Sequence, residues 1–241
     1  MRRSFCWVLL ACLLMAAPAL ADWFEGDPYK MHWPQVPLWG GWDVEFGSGD
    51  GWPLGDDWTC IESGTVEDIH FWISWNMDLE QPIDMFTVFI FSNNPQGPWG
   101  WSEPDMLLWM REFSVGDFVI RYEDYFTQDW LDPSGPYYYD DTHGLWVQIN
   151  ITAIEDPFVQ MAGDTYWLVI DFHGIPFLGW KETDLNYMDA AVWWDRADSH
   201  GARWEPVLDP AGAPVDLAFV ITGMPLTSTE DSDWSVIKKL Y

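Results

Sequence analysis

Hydrophobic and polar residues alternate along much of this chain with the period of two that a half-buried β-strand requires. The segment 66–75 is the clearest case: one face carries Ile69, Phe71, Ile73 and Trp75, and the other carries Asp68, His70, Trp72 and Ser74. The segment 85–91 is hydrophobic on both faces, which predicts a central strand. Further strands are predicted at 106–113, 117–122, 145–154, 165–172, 190–194 and 215–222.

The segments between these strands are rich in Gly, Pro, Asn and Asp, which favour turns. No stretch of ten or more residues keeps a period of 3.6, although 122–130 is compatible with one or two helical turns. Many short strands joined by such turns are typical of a sandwich or barrel. We therefore predict an all-β protein, a single jelly-roll-like β-sandwich whose strands are mostly antiparallel.

The first 21 residues have the pattern of a secretory signal peptide. Two arginines precede an apolar run, 5–17, which ends at Pro18 and is followed by Ala19 and Ala21. The alternative, a membrane anchor, needs about 20 apolar residues, and this run is shorter. We expect cleavage after Ala21 and a secreted or cell-surface protein, with the periplasm as the alternative destination.

The remaining chain divides into one domain, 22–223, and a polar segment, 224–241. The polar segment begins as a linker rich in Ser, Thr and acidic residues. It ends in a short amphipathic stretch, 234–241, that contains two lysines. This tail is either a docking or sorting element or a frayed terminus.

The formal net charge is −29. A surface this acidic repels nucleic acids and anionic lipids, so neither is an expected partner, and it attracts cations. No later stretch is apolar enough to span a membrane. Cys6 and Cys12 leave with the signal peptide, so Cys60 has no partner for an intrachain disulfide and is expected to be buried.

A series of motifs resembles an uncharacterised family of exported bacterial proteins. The opening motif is WFEGDPYKMHWPQVP at 23–37, and further matching segments are 41–44, 56–60, 68–75, 179–181 and 217–222. The resemblance implies an exported bacterial β-sandwich, often with C-terminal anchoring or sorting segments. The family has no established catalytic residues, so the resemblance assigns none.

Clustered carboxylates suggest a calcium site, since calcium prefers carboxylate and carbonyl oxygens. The candidate ligands fall within fifteen residues, among glycines: Asp43, Glu45, Asp50, Asp56 and Asp57. Their spacing is not that of an EF-hand, and the alternative is a solvated acidic loop. Asp140 and Asp141 are a weaker second candidate.

Tryptophan is unusually frequent, with 20 residues, which is more than a sandwich core needs. Because pyranose rings stack on aromatic rings, exposed tryptophans in loops suggest carbohydrate binding. The candidates are Trp99 and Trp101 in a Gly- and Pro-rich stretch, then Trp39 and Trp42. The alternative is that these rings cap the ends of the sandwich. In the strand at 190–194, one ring of the pair Trp193 and Trp194 should point inward and the other outward.

Catalytic motifs are lacking: the chain has no nucleophile elbow, P-loop or zinc-protease helix motif. Asp171 and His173 share one strand face and form a possible acid–base pair. A glycosidase needs only two carboxylates, which the sequence does not exclude. The leading hypothesis is therefore a non-catalytic secreted protein that binds a polysaccharide, with structural calcium. The alternatives are a structural or adhesive cell-envelope component, located through its tail, and a carbohydrate-active enzyme. The sequence does not indicate an oligomeric state.

Overall fold

A computed structural model describes residues 22–47, 52–98, 100–135, 137–196 and 201–224. Within these ranges the chain forms sixteen strands and a single 3-10 turn at Asn76–Asp78. The strands are β1 (Trp42–Glu45), β2 (Leu54–Thr59), β3 (Gly64–Thr65), β4 (Asp68–Trp75), β5 (Met85–Asn94), β6 (Glu103–Ser114), β7 (Phe118–Tyr122), β8 (Gln128–Leu131), β9 (Tyr138–His143), β10 (Trp146–Ile151), β11 (Val159–Gln160), β12 (Thr165–Asp171), β13 (Leu178–Lys181), β14 (Val192–Asp195), β15 (Arg203–Pro206) and β16 (Phe219–Thr222).

Two large sheets dominate the architecture. The eight-stranded sheet has the order β7-β10-β4-β13-β1-β8-β9, and β16 also pairs with β4. The six-stranded sheet has the order β15-β14-β2-β12-β5-β6, and β3 pairs with β11 separately. Among the described strands, only β1 and β8 pair in parallel. The prediction of an all-β, mostly antiparallel sandwich is therefore confirmed.

The core lies between the two large sheets and is rich in aromatic rings. Phe71 on β4 contacts Phe86 on β5 across the sandwich, with ring centroids 5.7 Å apart. Phe172, directly after β12, lies 4.9 Å from Phe86, and Trp180 on β13 lies 5.7 Å from Phe71. All four side chains are fully or almost fully buried. Aromatic side chains bury large apolar areas, so these contacts are a main source of stability.

A turn at 115–116 connects the two sheets. β6 belongs to the six-stranded sheet and β7 to the eight-stranded sheet, although only three residues separate them. Phe113 and Phe118, on either side of the turn, pack on Phe86 with centroid distances of 5.8 and 5.0 Å. The turn thus joins the two sheets at one side of the sandwich, where Phe113 and Phe118 both pack on Phe86.

The helical turns that the sequence suggested at 122–130 are absent from the structure. Residues 123–127 form an irregular connection, and the strand β8 follows. β8 pairs with β1 on one side and β9 on the other, and the side chains of Gln128 and Trp130 are buried. Sheet pairing with segments distant in sequence outweighed the weak local helical pattern.

Cys60 is a buried free cysteine, as the sequence predicted. Its thiol donates a hydrogen bond to the carbonyl oxygen of Glu62. Burial raises the pKa of Cys60 to about 11, so the reactive thiolate is scarce at neutral pH. The residue packs as a small apolar side chain.

The predicted signal peptide, 1–21, and residues 225–241 of the predicted tail lie outside the described residues. Met224, where the described chain ends, is held by two hydrogen bonds to its carbonyl oxygen. The donors are the Lys30 ammonium group and the Thr65 backbone N–H. Within the described residues, no helix is long and apolar enough to cross a membrane.

Candidate functional site

The outer face of the six-stranded sheet carries a connected row of aromatic rings. Phe89 and Phe91 on β5 lie 6.1 Å apart between ring centroids. Phe91 contacts Trp204 on β15 at 6.3 Å, and Trp204 contacts Trp194 on β14 at 5.0 Å. Phe89, Phe91 and Trp194 are only partly buried. They therefore present ring surface to solvent.

Strand alternation explains why these rings face outward. On β5, Val88 and Ile90 belong to the core between the sheets, which directs Phe89 and Phe91 to the opposite face. On β14, Trp193 packs in the core while Trp194 joins the outer row. This confirms the prediction that one ring of the tryptophan pair points inward and the other outward.

The sheet is curved around this outer face. Three strands, β14, β2 and β12, separate β15 from β5. Neighbouring strands lie about 4.8 Å apart, so a flat sheet would hold β15 and β5 about 19 Å apart. Trp204 and Phe91 would not reach each other across that distance, yet their ring centroids lie 6.3 Å apart. The β14–β15 hairpin therefore curls over the face and makes it concave.

The concave face encloses a pocket of about 620 Å³, which we call the outer-face pocket. Its floor includes Val169, which faces Gly55 on the neighbouring strand. A Cβ atom on Gly55 would lie 2.6 Å from Val169 Cγ2, so the strands pack this closely only because residue 55 is glycine. The lining residues are Pro53, Phe89, Phe91, Pro98, Glu103, Pro104, Asp105, Val169, Asp171, Trp194, Arg196, Ala202, Arg203 and Trp204.

Charged side chains surround the aromatic part of the outer-face pocket. Three of them are carboxylates, Glu103, Asp105 and Asp171, and two are guanidinium groups, Arg196 and Arg203. Partial burial raises the pKa of Glu103, and the neighbouring Asp105 charge adds to the rise. The pocket thus combines ring faces with hydrogen-bond acceptors and donors.

Asp171 and His173, the predicted acid–base pair, lie close together at the end of β12. Asp171 Oδ2 is 4.0 Å from His173 Nδ1, and Asp171 Oδ1 accepts a hydrogen bond from the His173 backbone N–H. His173 Nε2 is 2.9 Å from the Thr87 hydroxyl oxygen. Of this pair, only Asp171 lines the pocket.

The predicted binding tryptophans fall in different parts of the molecule. Trp99 lies outside the described residues. Trp101 is half-buried, its indole N–H has no hydrogen-bond partner, and Pro98 in the same loop lines the outer-face pocket. Trp39 is 56% exposed and packs against Phe126 and Trp146. Trp42 is half-buried against Tyr138.

Trp39 belongs to a second, smaller site. It lines a cleft of about 330 Å³ beside the eight-stranded sheet, together with Trp146, Arg121, Glu123 and Asp184 among others. Trp39 and Trp42 therefore do not join Trp101 in one binding surface.

The predicted calcium ligands are divided between two strands and an undescribed segment. Asp43 and Glu45 lie on β1, in the eight-stranded sheet, whereas Asp56 and Asp57 lie on β2, in the six-stranded sheet. Asp50 lies outside the described residues. The other four carboxylates therefore do not lie in an acidic loop. They lie in strands of two different sheets.

Both carboxylates of β1 have side-chain partners: Asp43 pairs with basic groups, and Glu45 accepts a hydrogen bond from a tryptophan. Asp43 Oδ2 lies 2.6 Å from His143 Nε2, and Asp43 Oδ1 lies 3.3 Å from Lys181 Nζ. Glu45 accepts a hydrogen bond of 3.1 Å from the Trp130 indole N–H, and burial raises the pKa of its carboxyl. The charge of Asp43 is compensated within the protein.

Asp56 and Asp57 point to opposite faces of β2 and are both fully buried. Asp56 accepts hydrogen bonds from the Gln35 side chain and from the backbone N–H groups of Asp57 and Leu217. Neither oxygen of Asp57 has a partner. Burial raises the pKa of both carboxyls well above the usual value, and Asp216 raises both further.

No group of three or more Asp, Glu, His or Cys side chains in the described ranges is arranged to hold a metal ion. Asp140 and Asp141, the second calcium candidate, are exposed on β9. The Asp141 backbone N–H donates a hydrogen bond to Asp129 Oδ1.

Sequence comparison assigns the chain to a family. A family model for a domain of unknown function, DUF7901, matches residues 31–222, which is most of the chain, so the protein belongs to this family. This confirms the predicted membership of an uncharacterised family. No curated protein and no solved structure matches the chain.

The aromatic row was not among the predicted site residues. Phe89 and Phe91 lie in a segment that is hydrophobic on both faces, which predicts a buried central strand. Trp204 lies between predicted strands. The two-residue spacing of Phe89 and Phe91 indicates that both rings lie on the same face of the strand. The sequence does not show that this is the outer face, which the other sheet does not cover.

Proposed function

We propose that this protein is a non-catalytic carbohydrate-binding protein and that the outer-face pocket holds the sugar. The observation that carries the proposal is the partly exposed row of rings formed by Phe89, Phe91, Trp204 and Trp194 in a concave face. Connected aromatic surface on a sheet face is costly to leave in water, which favours a ligand-binding role.

The chemistry of the lining fits a sugar. Aromatic rings stack on the C–H faces of a pyranose, while carboxylates accept hydrogen bonds from its hydroxyls and guanidinium groups donate to its oxygens. Asp171 and Arg196 stand at the same pocket as the rings. A volume of about 620 Å³ lies within the range of small-molecule sites, roughly 300–1,000 Å³.

The test is retention of the purified protein on a panel of insoluble polysaccharides, comparing the wild type with Trp194→Ala. Trp194 is partly exposed, so its removal should leave the fold intact, as judged by circular dichroism and the melting temperature. We expect at least a tenfold loss of affinity for the retained polysaccharide. A single anchoring ring at a binding site is typically worth about 2 kcal/mol or more.

Trp39→Ala is the matched control, because it removes an exposed ring beside the other sheet. We expect it to bind like the wild type. If Trp39→Ala loses retention and Trp194→Ala keeps it, the cleft at Trp39 is the binding site and the outer-face pocket is not. If the wild type is retained on no polysaccharide, carbohydrate binding is the wrong function.

A carbohydrate-active enzyme is the alternative that the three carboxylates of the pocket favour. Glu103, with its raised pKa, would serve as a general acid, and Asp105, two residues further along β6, as the second carboxylate. Release of reducing sugars from the retained polysaccharide, abolished in Glu103→Gln, would establish this activity. Retention without release supports the non-catalytic proposal.

Export to the cell surface or the medium is part of the same proposal and rests on the sequence of residues 1–21. A structural or adhesive role in the cell envelope is the second candidate. It is favoured by exposed hydrophobic side chains on β6, at the edge of the six-stranded sheet: Met106, Leu107, Leu108 and Met110. An unprotected edge strand of this kind is suited to pairing with another chain.

A further inference from the structure

Two buried aspartates with unpartnered oxygens, Asp57 and Asp216, lie near one another at β2, and Asp189 lies close by. The three carboxylates alone are not arranged as a set of metal ligands. Asp57 lies on β2. The register of β2 with β14 pairs Gly55 with Val192, so the residues just before β14, including Asp189, lie beside Asp57. Asp216 approaches from a third segment, which the Ala191 backbone N–H holds next to the residues before β14 through a 3.0 Å bond to the Val215 carbonyl oxygen. Asp216 Oδ2 accepts a hydrogen bond from the Tyr187 backbone N–H.

Oxygen atoms in this cluster lack partners although they are buried. Asp57 is 0% exposed and has no hydrogen bond to either carboxylate oxygen, and Asp216 Oδ1 is likewise without one. The hydroxyl of Ser102, a residue that is 1% exposed, also has no partner. The Ser102 backbone N–H donates to Asp189 Oδ2 at 2.8 Å, so Ser102 lies beside Asp189.

The charges around Asp57 all have the same sign. Within the described residues, the groups whose charges act on it are the carboxylates of Asp216 and Asp189, and both raise its pKa further above the level set by burial. A buried, unpaired carboxylate is costly, and three together cost more. Folding therefore requires either protons or a cation at this position.

We propose that Asp57 and Asp216 bind a calcium ion, with the Ser102 hydroxyl as a third ligand. Asp189 contributes negative charge next to the ion, and water completes the coordination. All of these ligand atoms are oxygens, which hard cations prefer, and calcium accepts six to eight ligands in irregular geometry. Asp56 is not a ligand, because backbone and amide N–H groups occupy its oxygens.

The ion would also fix a loop at the rim of the outer-face pocket. Ser102 follows Trp101 in the chain, and Pro98 in the same loop lines the pocket. Calcium would therefore hold the predicted tryptophan loop in place. The calcium site does not depend on carbohydrate binding, since its ligands and its tests are separate from the sugar pocket.

Terbium luminescence tests the site directly, because terbium replaces calcium and is excited through nearby tryptophan. Trp167 pairs with Asp57 across β2 and β12. We expect the purified protein to give tryptophan-sensitised terbium emission that calcium displaces with a stoichiometry near one. Calcium should also raise the melting temperature of the wild type.

Asp57→Asn removes the charge while keeping the shape. We expect at least a tenfold weaker terbium affinity, and a melting temperature that no longer responds to calcium. In the absence of metal, Asp57→Asn should melt no lower than the wild type, because it removes a buried unpaired charge. Asp140→Asn, on an exposed carboxylate of the other sheet, is the matched control and should behave as wild type.

Equal terbium binding by the wild type and Asp57→Asn would overturn the proposal, since the ion would then lie on the acidic surface. No response of the wild type to either metal would also overturn it and would mean that the carboxyls are protonated. Polysaccharide retention is scored separately. Loss of terbium binding with intact retention leaves the sugar pocket unaffected, and Trp194→Ala should bind terbium normally.

Discussion

At the residue scale, His32 illustrates how packing controls ionisation. Its ring stacks on Tyr187 with centroids 3.4 Å apart and meets Trp33 edge-on at 4.5 Å. Nδ1 accepts a hydrogen bond of 3.4 Å from the Thr59 backbone N–H, which requires the neutral ring. Burial lowers the pKa of His32 from 6.5 to about 3. The histidine is therefore uncharged in the folded protein at neutral pH.

This pKa shift makes stability depend on pH. Between about pH 6.5 and pH 3 the unfolded chain holds a proton on His32 that the folded chain lacks. The contribution of His32 to the free energy of unfolding should therefore fall as the pH falls through this range. His32→Asn keeps an acceptor for the Thr59 N–H but has no titrating group, so its stability should fall less steeply.

Urea unfolding at pH 7, 6, 5 and 4 measures this difference in slope. Tyr187→Phe, which keeps the stacked ring and the titrating histidine, should follow the wild-type slope. Parallel curves for the wild type and His32→Asn would show that His32 does not contribute to the pH dependence.

At the element scale, a buried polar network joins five strands of the eight-stranded sheet. Asp43 on β1 lies between His143 at the end of β9 and Lys181 on β13. The Lys181 ammonium also donates to the Gln128 side chain on β8, and the Ser74 hydroxyl on β4 lies 2.9 Å from His143 Nε2. Burial lowers the pKa of Lys181, and Asp43 opposes this shift. The network fixes the register of strands whose pairing the sequence does not indicate.

Lys181→Met removes the buried ammonium group that lies 3.3 Å from Asp43 Oδ1. Breaking a buried ion pair typically costs about 3–5 kcal/mol, and we expect a loss of stability in this range. The double variant Asp43→Asn/Lys181→Met leaves no uncompensated carboxylate. It should therefore recover part of the stability that Lys181→Met loses. Denaturant unfolding of the four proteins in this cycle gives the coupling energy.

Arg111→Met is the comparison for this cycle, since Arg111 pairs with the exposed Glu155 at 3.9 Å. We expect it to cost about 1 kcal/mol or less, as surface ion pairs do. An equally small cost for Lys181→Met would mean that the buried network does not stabilise the sheet.

At the scale of the whole molecule, both ends of the described chain pack against strands of the sandwich. Trp23, near the start, packs edge-on against Trp72, and its carbonyl oxygen accepts hydrogen bonds from Gln148 and Arg121. At the other end, β16 pairs with β4, and Met224 is bonded to Lys30 and Thr65. Both ends of the described chain are therefore held by contacts with the sandwich.

Deletion of residues 225–241 tests the role of the tail. Because contacts within 22–224 fix both ends of the described chain, the truncated protein should keep the melting temperature of the full chain within about 2 °C. If the tail locates the protein in the envelope, truncation should release it into the medium. Cell fractionation with immunoblotting measures the distribution.

The expected distribution separates two roles for the tail. An unchanged location, with the fold intact, would exclude a sorting role and leave a terminal segment without a targeting function. A lower melting temperature would instead show that the tail packs on the domain.

Local alternation in the sequence determined most of the strands. The segments 66–75 and 165–172 predicted β4 and β12, and in the structure both faces of these strands are buried. Successive side chains of a strand point to opposite faces. Trp193 and Trp194 were assigned to opposite faces for the same reason. The all-β class, the buried Cys60 and the family relationship also follow from the sequence.

Only the tertiary structure decided which strands meet and what lies between them. The chain segment 42–59 reads as an acidic loop, but its ends belong to different sheets, which separates Asp43 from Asp57. The row from Phe89 to Trp194 depends on a sheet that curls until distant strands touch. The alternation of hydrophobic and polar residues indicates which side chains are buried. It does not indicate which residues they pack against, because strands that pair are far apart in sequence.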